Sequence, residues 1–277
     1  ETVTGNTTVN TAAGRDTVNV RTIAAGTTVN TGADADTVNV GSLAPATGGD
    51  VNGIGAVLTI NGDGEADSLN VDDTADTAGN TGNLTATSIT GLGMTGKIVY
   101  GTVEALTIGL GSGDDTFTVE STHAGTTELN TNAGNDTVTL ETISGNTTVN
   151  TAAGSDTVNV RTIAAATTVN TGADADTVNV GSLAPATGGD VNGIGAVLTI
   201  NGEGDADSLN VDDSADTAGN TGNLTASGIT GLGMTGTGKI VYGTVEALKI
   251  GLGSGDDTFT VESTQTGTTE LNTNGGG

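Results

Sequence analysis

Nine aspartates stand at one place in one short pattern: Asp16, Asp36, Asp67, Asp115, Asp136, Asp156, Asp176, Asp207 and Asp257. Each is followed by Thr or Ser, and then by Val, Leu or Phe. Further acids crowd several of these turns: Asp34, the pair Asp63 and Glu65, Asp114, Asp174, the pair Glu203 and Asp205, and Asp256. Carboxylates in such groups support three kinds of chemistry. A pair can act as acid and base in hydrolysis, a cluster can hold a hard cation, and a single Asp can accept backbone N–H bonds in a turn.

Catalysis finds little else to work with. There is no cysteine, and the single histidine, His123, corresponds to Gln265 in a second copy of its segment, so no Ser or Thr has a recurring His partner. Sugar-cleaving folds line their clefts with aromatic and basic residues, whereas this chain has four aromatics (Tyr100, Phe117, Tyr242, Phe259) and six Lys and Arg. The glycine run 109–113 precedes a strand pattern and has no lysine, which excludes a phosphate-binding loop. Asp63 to Thr74 puts Ser68 where a helix–loop–helix calcium site needs Gly and Thr74 where it needs Glu. We expect no enzyme.

The elements that position the aspartates follow from self-similarity. Residues 5–96 recur as 145–236 with seven substitutions, and after an insertion of Thr237-Gly238 residues 97–132 recur as 239–274. The chain therefore reads as two continuous super-repeats, 1–144 and 145–277. Within them the aspartates follow one another at 20, 31, 48, 21, 20, 20, 31 and 50 residues. A period near 20, with insertions and an extra coil in the longest gaps, describes a solenoid. "DTVNV" alternates apolar and polar residues as a strand does, and "TTVNT" at 27–31 supplies a second strand after the turn at 24–26. Gly, Thr, Asn and Val are poor or indifferent helix formers. The fold class is all-β, a parallel β-solenoid with coils of about 20 residues. Stacked coils share a thin core, which suits a Val/Ile/Ala interior almost without aromatics.

Stacking at ~4.8 Å brings identical turns into rows, and unit charges about 5 Å apart repel by ~0.8 kcal/mol even in water. Six basic residues cannot offset 33 acids; Ca²⁺, which takes six to eight oxygens, can. Glycine at 111 and 113 would permit positive φ and turn carbonyls toward an ion. The stretch Gly111-Ser112-Gly113-Asp114-Asp115-Thr116-Phe117 resembles the calcium-binding repeat of RTX proteins, G-G-x-G-x-D-x-U-x. Asn132, Gly134, Asp136 and Val138 follow the same frame, with Leu110 and Thr131 in place of the leading glycine. That resemblance implies that glycine carbonyls and aspartates hold Ca²⁺ between coils. The candidate ligands are Asp34, Asp36, Asp63, Glu65, Asp67, Gly111, Gly113, Asp114, Asp115, Gly134 and Asp136, with Asp174, Asp176, Glu203, Asp205, Asp207, Gly253, Gly255, Asp256 and Asp257. The competing assignment, turn aspartates bound to backbone N–H groups, stays open, most of all for the single-acid turns at Asp16 and Asp156.

A formal charge of −27 excludes nucleic acid and anionic membrane surfaces as partners, and the longest apolar run, Gly53 to Ile60, is too short to span a bilayer. The first and last residues fall in mid-coil, so the expected partners are flanking repeats of a longer chain or copies of this one stacked head to tail. Long bacterial surface proteins carry stretches similar to residues 99–119. The expectation is a structural protein, extracellular or at the cell surface: a calcium-stabilised fibre, surface layer or adhesin stalk. An alternative is an adhesin or ice-binding module acting through outward rows of Thr and Asn.

Overall fold

A computed structural model describes residues 2–275, which contain 25 strands and no helix. Two compact units are present, one ending at Gly134 and the other beginning at Asn135. The first contains β1 (Thr7–Asn10), β2 (Thr17–Val20), β3 (Thr27–Asn30), β4 (Thr37–Val40), β5 (Val57–Asn61), β6 (Ser68–Asp72), β7 (Thr81–Thr85), β8 (Ser88–Gly91), β9 (Lys97–Gly101), β10 (Ala105–Gly109), β11 (Thr116–Val119) and β12 (Thr126–Asn130). The second contains β13 (Thr137–Leu140), β14 (Thr147–Asn150), β15 (Thr157–Val160), β16 (Thr167–Asn170), β17 (Thr177–Val180), β18 (Val197–Asn201), β19 (Ser208–Asp212), β20 (Thr221–Thr225), β21 (Gly228–Gly231), β22 (Lys239–Gly243), β23 (Ala247–Gly251), β24 (Thr258–Val261) and β25 (Thr268–Asn272).

Within the first unit one sheet runs β1-β3-β5-β9-β8-β7-β11 and the other β2-β4-β6-β10-β12. Within the second the orders are β13-β15-β17-β19-β23-β25 and β14-β16-β18-β22-β21-β20-β24. Apart from β8 and β21, successive strands of a coil thus go to different sheets and pair in parallel with their counterparts one coil away. Thr7 to Asn10 lie opposite Thr27 to Asn30, and Thr17 to Val20 opposite Thr37 to Val40. This is the expected β-solenoid, its coil made of two strands and two turns.

The irregular spacings have structural counterparts. The 31-residue interval between Asp36 and Asp67 holds an insertion, residues 41–56, between β4 and β5. The 48-residue interval between Asp67 and Asp115 holds one further coil, β9 and β10, in which Ala105 lies opposite Ser68. The parallel order is interrupted at one strand in each unit. β7, β8 and β9 form an antiparallel meander, as do β20, β21 and β22. On leaving β8 the chain turns back toward β9 through Gly91, Leu92 and Gly93, which all adopt positive φ.

Period-two alternation sends Val29, Leu58, Ile60, Ile98 and Tyr100 inward, each at most 2% exposed. Val29, Ile60 and Tyr100 lie in one register row. Burying each such side chain contributes about 1.5–3 kcal/mol, and no coil could do so without its neighbours. The phenol of Tyr100 meets the rule for buried hydroxyls by donating to Thr85 O at 2.7 Å. Phe117 fits because Gly82 lies opposite it; a Cβ there would come within 2.5 Å of the ring.

Close backbone approach makes some turns intolerant of any side chain. A Cβ on Gly113 would lie 2.3 Å from the carbonyl carbon of Ala78, whereas one on Gly64 would meet nothing within 4 Å. Gly113→Ala should therefore cost about 1–3 kcal/mol and Gly64→Ala no more than about 0.5 kcal/mol. Thermal unfolding of the two variants side by side checks this.

Candidate functional site

The pattern Asp-Thr-Val-x-Val puts the repeated Asp in phase with the two inward apolar residues of its strand, and the structure buries it with them. Asp36, Asp67, Asp115, Asp136, Asp156, Asp176 and Asp207 are all 1–3% exposed. Each carboxylate reaches back one coil. Asp16 N–H donates to Asp36 Oδ1 at 2.7 Å, and Asp36 N–H to Asp67 Oδ1 at 2.8 Å. In the second unit Asp136 N–H donates to Asp156 Oδ1, Asp156 N–H to Asp176 Oδ1, and Asp176 N–H to Asp207 Oδ1, at 2.7, 2.7 and 2.9 Å. Asp115 and Asp257 serve Asn80 N–H and Asn220 N–H in the same way.

The physical reason is local. The C=O of Asp16 accepts from Thr37 N–H, and that of Asp36 from Ser68 N–H, so the sheet ladder begins one peptide after the Asp nitrogen. The side chain supplies the acceptor that the ladder lacks at that point, which a buried N–H requires. Glu104 and Glu246 do this for Asp67 N–H and Asp207 N–H in the extra coil, at 2.8 and 2.9 Å. Sequence reasoning missed both glutamates. The signal was available, because Glu104-Ala105-Leu106 repeats the acid–small–apolar order of Asp67-Ser68-Leu69.

The second carboxylate oxygen is left over. Oδ2 of Asp16, Asp36, Asp67 and Asp207 is buried without a hydrogen-bond partner. Beside Asp156 and Asp176 stand the hydroxyls of Thr151 and Thr171, whose protons go to carbonyl oxygens of the next coil. Desolvation dominates over the bonds that favour charge: it pushes Asp156 up to about 7 and Asp207 up to about 6, and raises Asp67 and Asp176 as well. Neighbouring aspartates of the row push in the same direction.

The remaining acids form a separate, exposed set. Asp34, Asp63, Glu65, Asp114, Asp174, Glu203, Asp205 and Asp256 face solvent at the turns. Asp34 Oδ2 accepts Gly14 N–H at 3.0 Å and Asp205 Oδ2 accepts Asp174 N–H at 3.2 Å. Inner and outer carboxylates therefore do not converge, and among the described residues no three His, Asp or Glu side chains are grouped so as to hold a metal ion. The glycines also act differently from expectation. Gly111, Gly113, Gly253 and Gly255 lack positive φ, which Gly134 alone of the candidate glycines adopts. Gly111, Gly253 and Gly255 are needed because a Cβ would lie 2.0–2.1 Å from Asp76 O, Asp216 O and Ala218 O. Their absent side chains let strands and turns close on one another.

A second acidic group was not singled out from the sequence. Asp72, the last residue of β6, and Asp73 and Asp76 just after it take hold of the insertion 41–56, as Asp212, Asp213 and Asp216 take hold of 181–196. The consecutive acids in "VDDTAD" and "VDDSAD" beside each insertion were its signature. His123 lies edge-on to Tyr100, with ring centroids 6.0 Å apart, and burial lowers its basicity. On the outer faces, Asn10, Asn30 and Asn61 pass amide hydrogen bonds from coil to coil at 2.7 Å, and Asn19, Asn39 and Asn70 do so at 2.8–2.9 Å. No family model matches this chain, and no curated protein matches it.

The inner row sets the sign of the pH dependence. Carboxyls whose folded-state affinity for protons is raised bind more protons in the native chain than in the unfolded one, so stability is greatest in acid and falls as pH rises from about 4 through about 7. Asp156→Asn keeps the acceptor for Asp136 N–H and removes the charge; it should raise the melting temperature at pH 8 and leave it unchanged near pH 4. Asp156→Ala orphans that N–H and should cost about 1–3 kcal/mol at both. Melting curves of the three proteins across pH check the pair.

Proposed function

We propose that this chain is a structural, non-catalytic segment of an extracellular or cell-surface protein, a β-solenoid spacer that continues into flanking repeats or further copies of itself. The observation that carries this reading is the closure of each coil on the next by the same three ladders in both units. Backbone strands pair in register, inner carboxylates bind the preceding coil's N–H groups, and outer asparagines bind one another. Every ladder runs along the stack, the direction in which a stalk or fibre bears load. A charge of −27 and the lack of cysteine suit a chain exported unfolded and kept soluble by self-repulsion.

Calcium has a narrower place in this proposal than in the expectation from sequence. The inner aspartates already serve backbone N–H groups, which leaves the outward acids of the turns, Asp34, Asp63, Glu65, Asp114, Asp174, Glu203, Asp205 and Asp256, as the carboxylates that a hard cation would meet. When bound, Ca²⁺ would neutralise these outward carboxylates and strengthen the stack outside the cell, where the ion is plentiful. A second reading rests on Thr8, Thr28 and Thr59, which stand in register on an outer face beside the asparagine row. Such a row suits an ice- or surface-binding face, and freezing-point hysteresis tests it directly.

Thermal unfolding at neutral pH and fixed ionic strength, in EDTA and then in millimolar Ca²⁺ or Mg²⁺, tests the calcium part. A higher melting temperature in Ca²⁺ alone is the expected result, and equal melting in all three removes calcium from the proposal. Pulling the chain end to end by atomic force microscopy tests the structural part. Discrete unfolding events are expected; extension at the force of a structureless polymer would overturn it.

A further inference from the structure

Each unit carries one long insertion between strands, and its middle is held by acids rather than by strand pairing. In the first unit Gly49 N–H donates to Asp72 Oδ2 at 2.7 Å, Val51 N–H to Asp73 Oδ1 at 2.9 Å, and Asn52 Nδ2 to Asp76 Oδ2 at 3.0 Å. Ala75 N–H returns a bond to Gly49 O at 2.8 Å, and Gly48 N–H donates to Thr74 Oγ1 at 3.0 Å. The copy repeats the clasp through Asp212, Asp213 and Asp216 at 2.7, 3.1 and 3.1 Å. Val51 and Val191, whose N–H groups are held, are themselves 0% exposed, while Leu43 and Leu183 project from the same insertions at 52% and 53%.

Asp73 is the anomalous member. It is 1% exposed, its Oδ1 accepts the one bond from Val51, and its Oδ2 is buried without a hydrogen-bond partner. The charged groups that face it are all acidic: Asp50 on the insertion, Asp76 on its own segment, and Asp115 at the entrance to β11. Arg21 reaches the insertion at its other end, where Nε donates to Ala44 O at 2.8 Å. Asp213 is likewise 1% exposed, accepts the bond from Val191 on its Oδ1 and faces Asp190, Asp216 and Asp257, with Arg161 on Ala184 O. At Asp73 a charged carboxylate has neither a cation nor a second donor to stabilise it, whereas a protonated one keeps its acceptor oxygen and carries no charge.

We propose that Asp73 and Asp213 are proton-controlled latches: protonated, each holds its insertion closed over Val51 or Val191, and ionised, each lets the middle of the insertion open. Burial, reinforced by the acidic neighbours, pushes both carboxyls up to about 7, which puts the transition near neutrality. Asp76 and Asp216 do not share this behaviour, because N–H and amide donors hold them below the usual carboxylate range.

Amide hydrogen exchange of the whole chain in EDTA, corrected for intrinsic rates, tests the latch apart from any effect of calcium. Protection of Val51 and Val191 should fall by up to about tenfold per pH unit between about 5 and about 7, while the core amides of Val29 and Val169 keep theirs. Asp73→Asn with Asp213→Asn retains the acceptor oxygens, and should retain protection and abolish the slope. Equal protection of Val51 at pH 5 and pH 8, or a slope that persists in the double variant, would overturn the proposal. The side-chain carboxyl ¹³C shift of Asp73 in the unaltered protein gives an answer even if the variant does not fold. A midpoint near neutrality supports the latch, and a midpoint near 4 refutes it.

Discussion

Parallel stacking in register is the constraint on which everything else depends. A coil of two short strands has one apolar edge and cannot bury it alone. Once its neighbour lies in register, each side chain sits on its own counterpart about 4.8 Å away. For Val29, Ile60 and Tyr100 this makes a continuous core row. For Asn10, Asn30 and Asn61 it makes a chain of amides, in which Asn61 donates to Asn30 and Asn30 to Asn10. For carboxylates the same arithmetic is unfavourable, because like charges are brought together and the inward ones lose their water.

The inner aspartates resolve part of that conflict and retain the rest. Their Oδ1 atoms complete the backbone ladder where a peptide N–H would otherwise be buried unpaired, so they cannot be dispensed with as ordinary charged residues could. Their Oδ2 atoms have no such use, and at Asp67, Asp156, Asp176 and Asp207 desolvation shifts the balance toward the protonated form. One residue type thus gives the stack a structural bond and a sensitivity to pH together. The outward acids escape this conflict, since solvent screens them. The exchange of Asp63 and Glu65 for Glu203 and Asp205 between copies keeps both charges where side-chain length matters least.

The insertions follow the same logic at one remove. The middle of the insertion leaves the strand ladder, so the backbone groups of Gly49 and Val51 need other partners, and Asp72 and Asp73 at the end of β6 provide them. All three acids of that clasp recur unchanged in the second copy, and Thr74 becomes Ser214, which keeps a hydroxyl.

How much of this was legible beforehand depends on range. The strand period, the coil of about 20 residues, the thin core and the extra coil in the long gaps all follow from local alternation and self-similarity, because neighbouring positions on one chain decide which side chains share a face. The sequence by itself also determined that the repeated aspartates form rows. Only the tertiary structure decided which way those rows face, since the partner of each carboxylate is an N–H 20 or more residues earlier, and the same Asp can equally serve a turn or an ion. It likewise decided that Gly111 and Gly113 serve close packing rather than positive φ, that Glu104 stands in for an aspartate, that β7 to β9 reverse direction, and that Asp73 is buried among acids. Each depends on what lies opposite in the next coil, and spacing along one strand carries no information about distance across the stack.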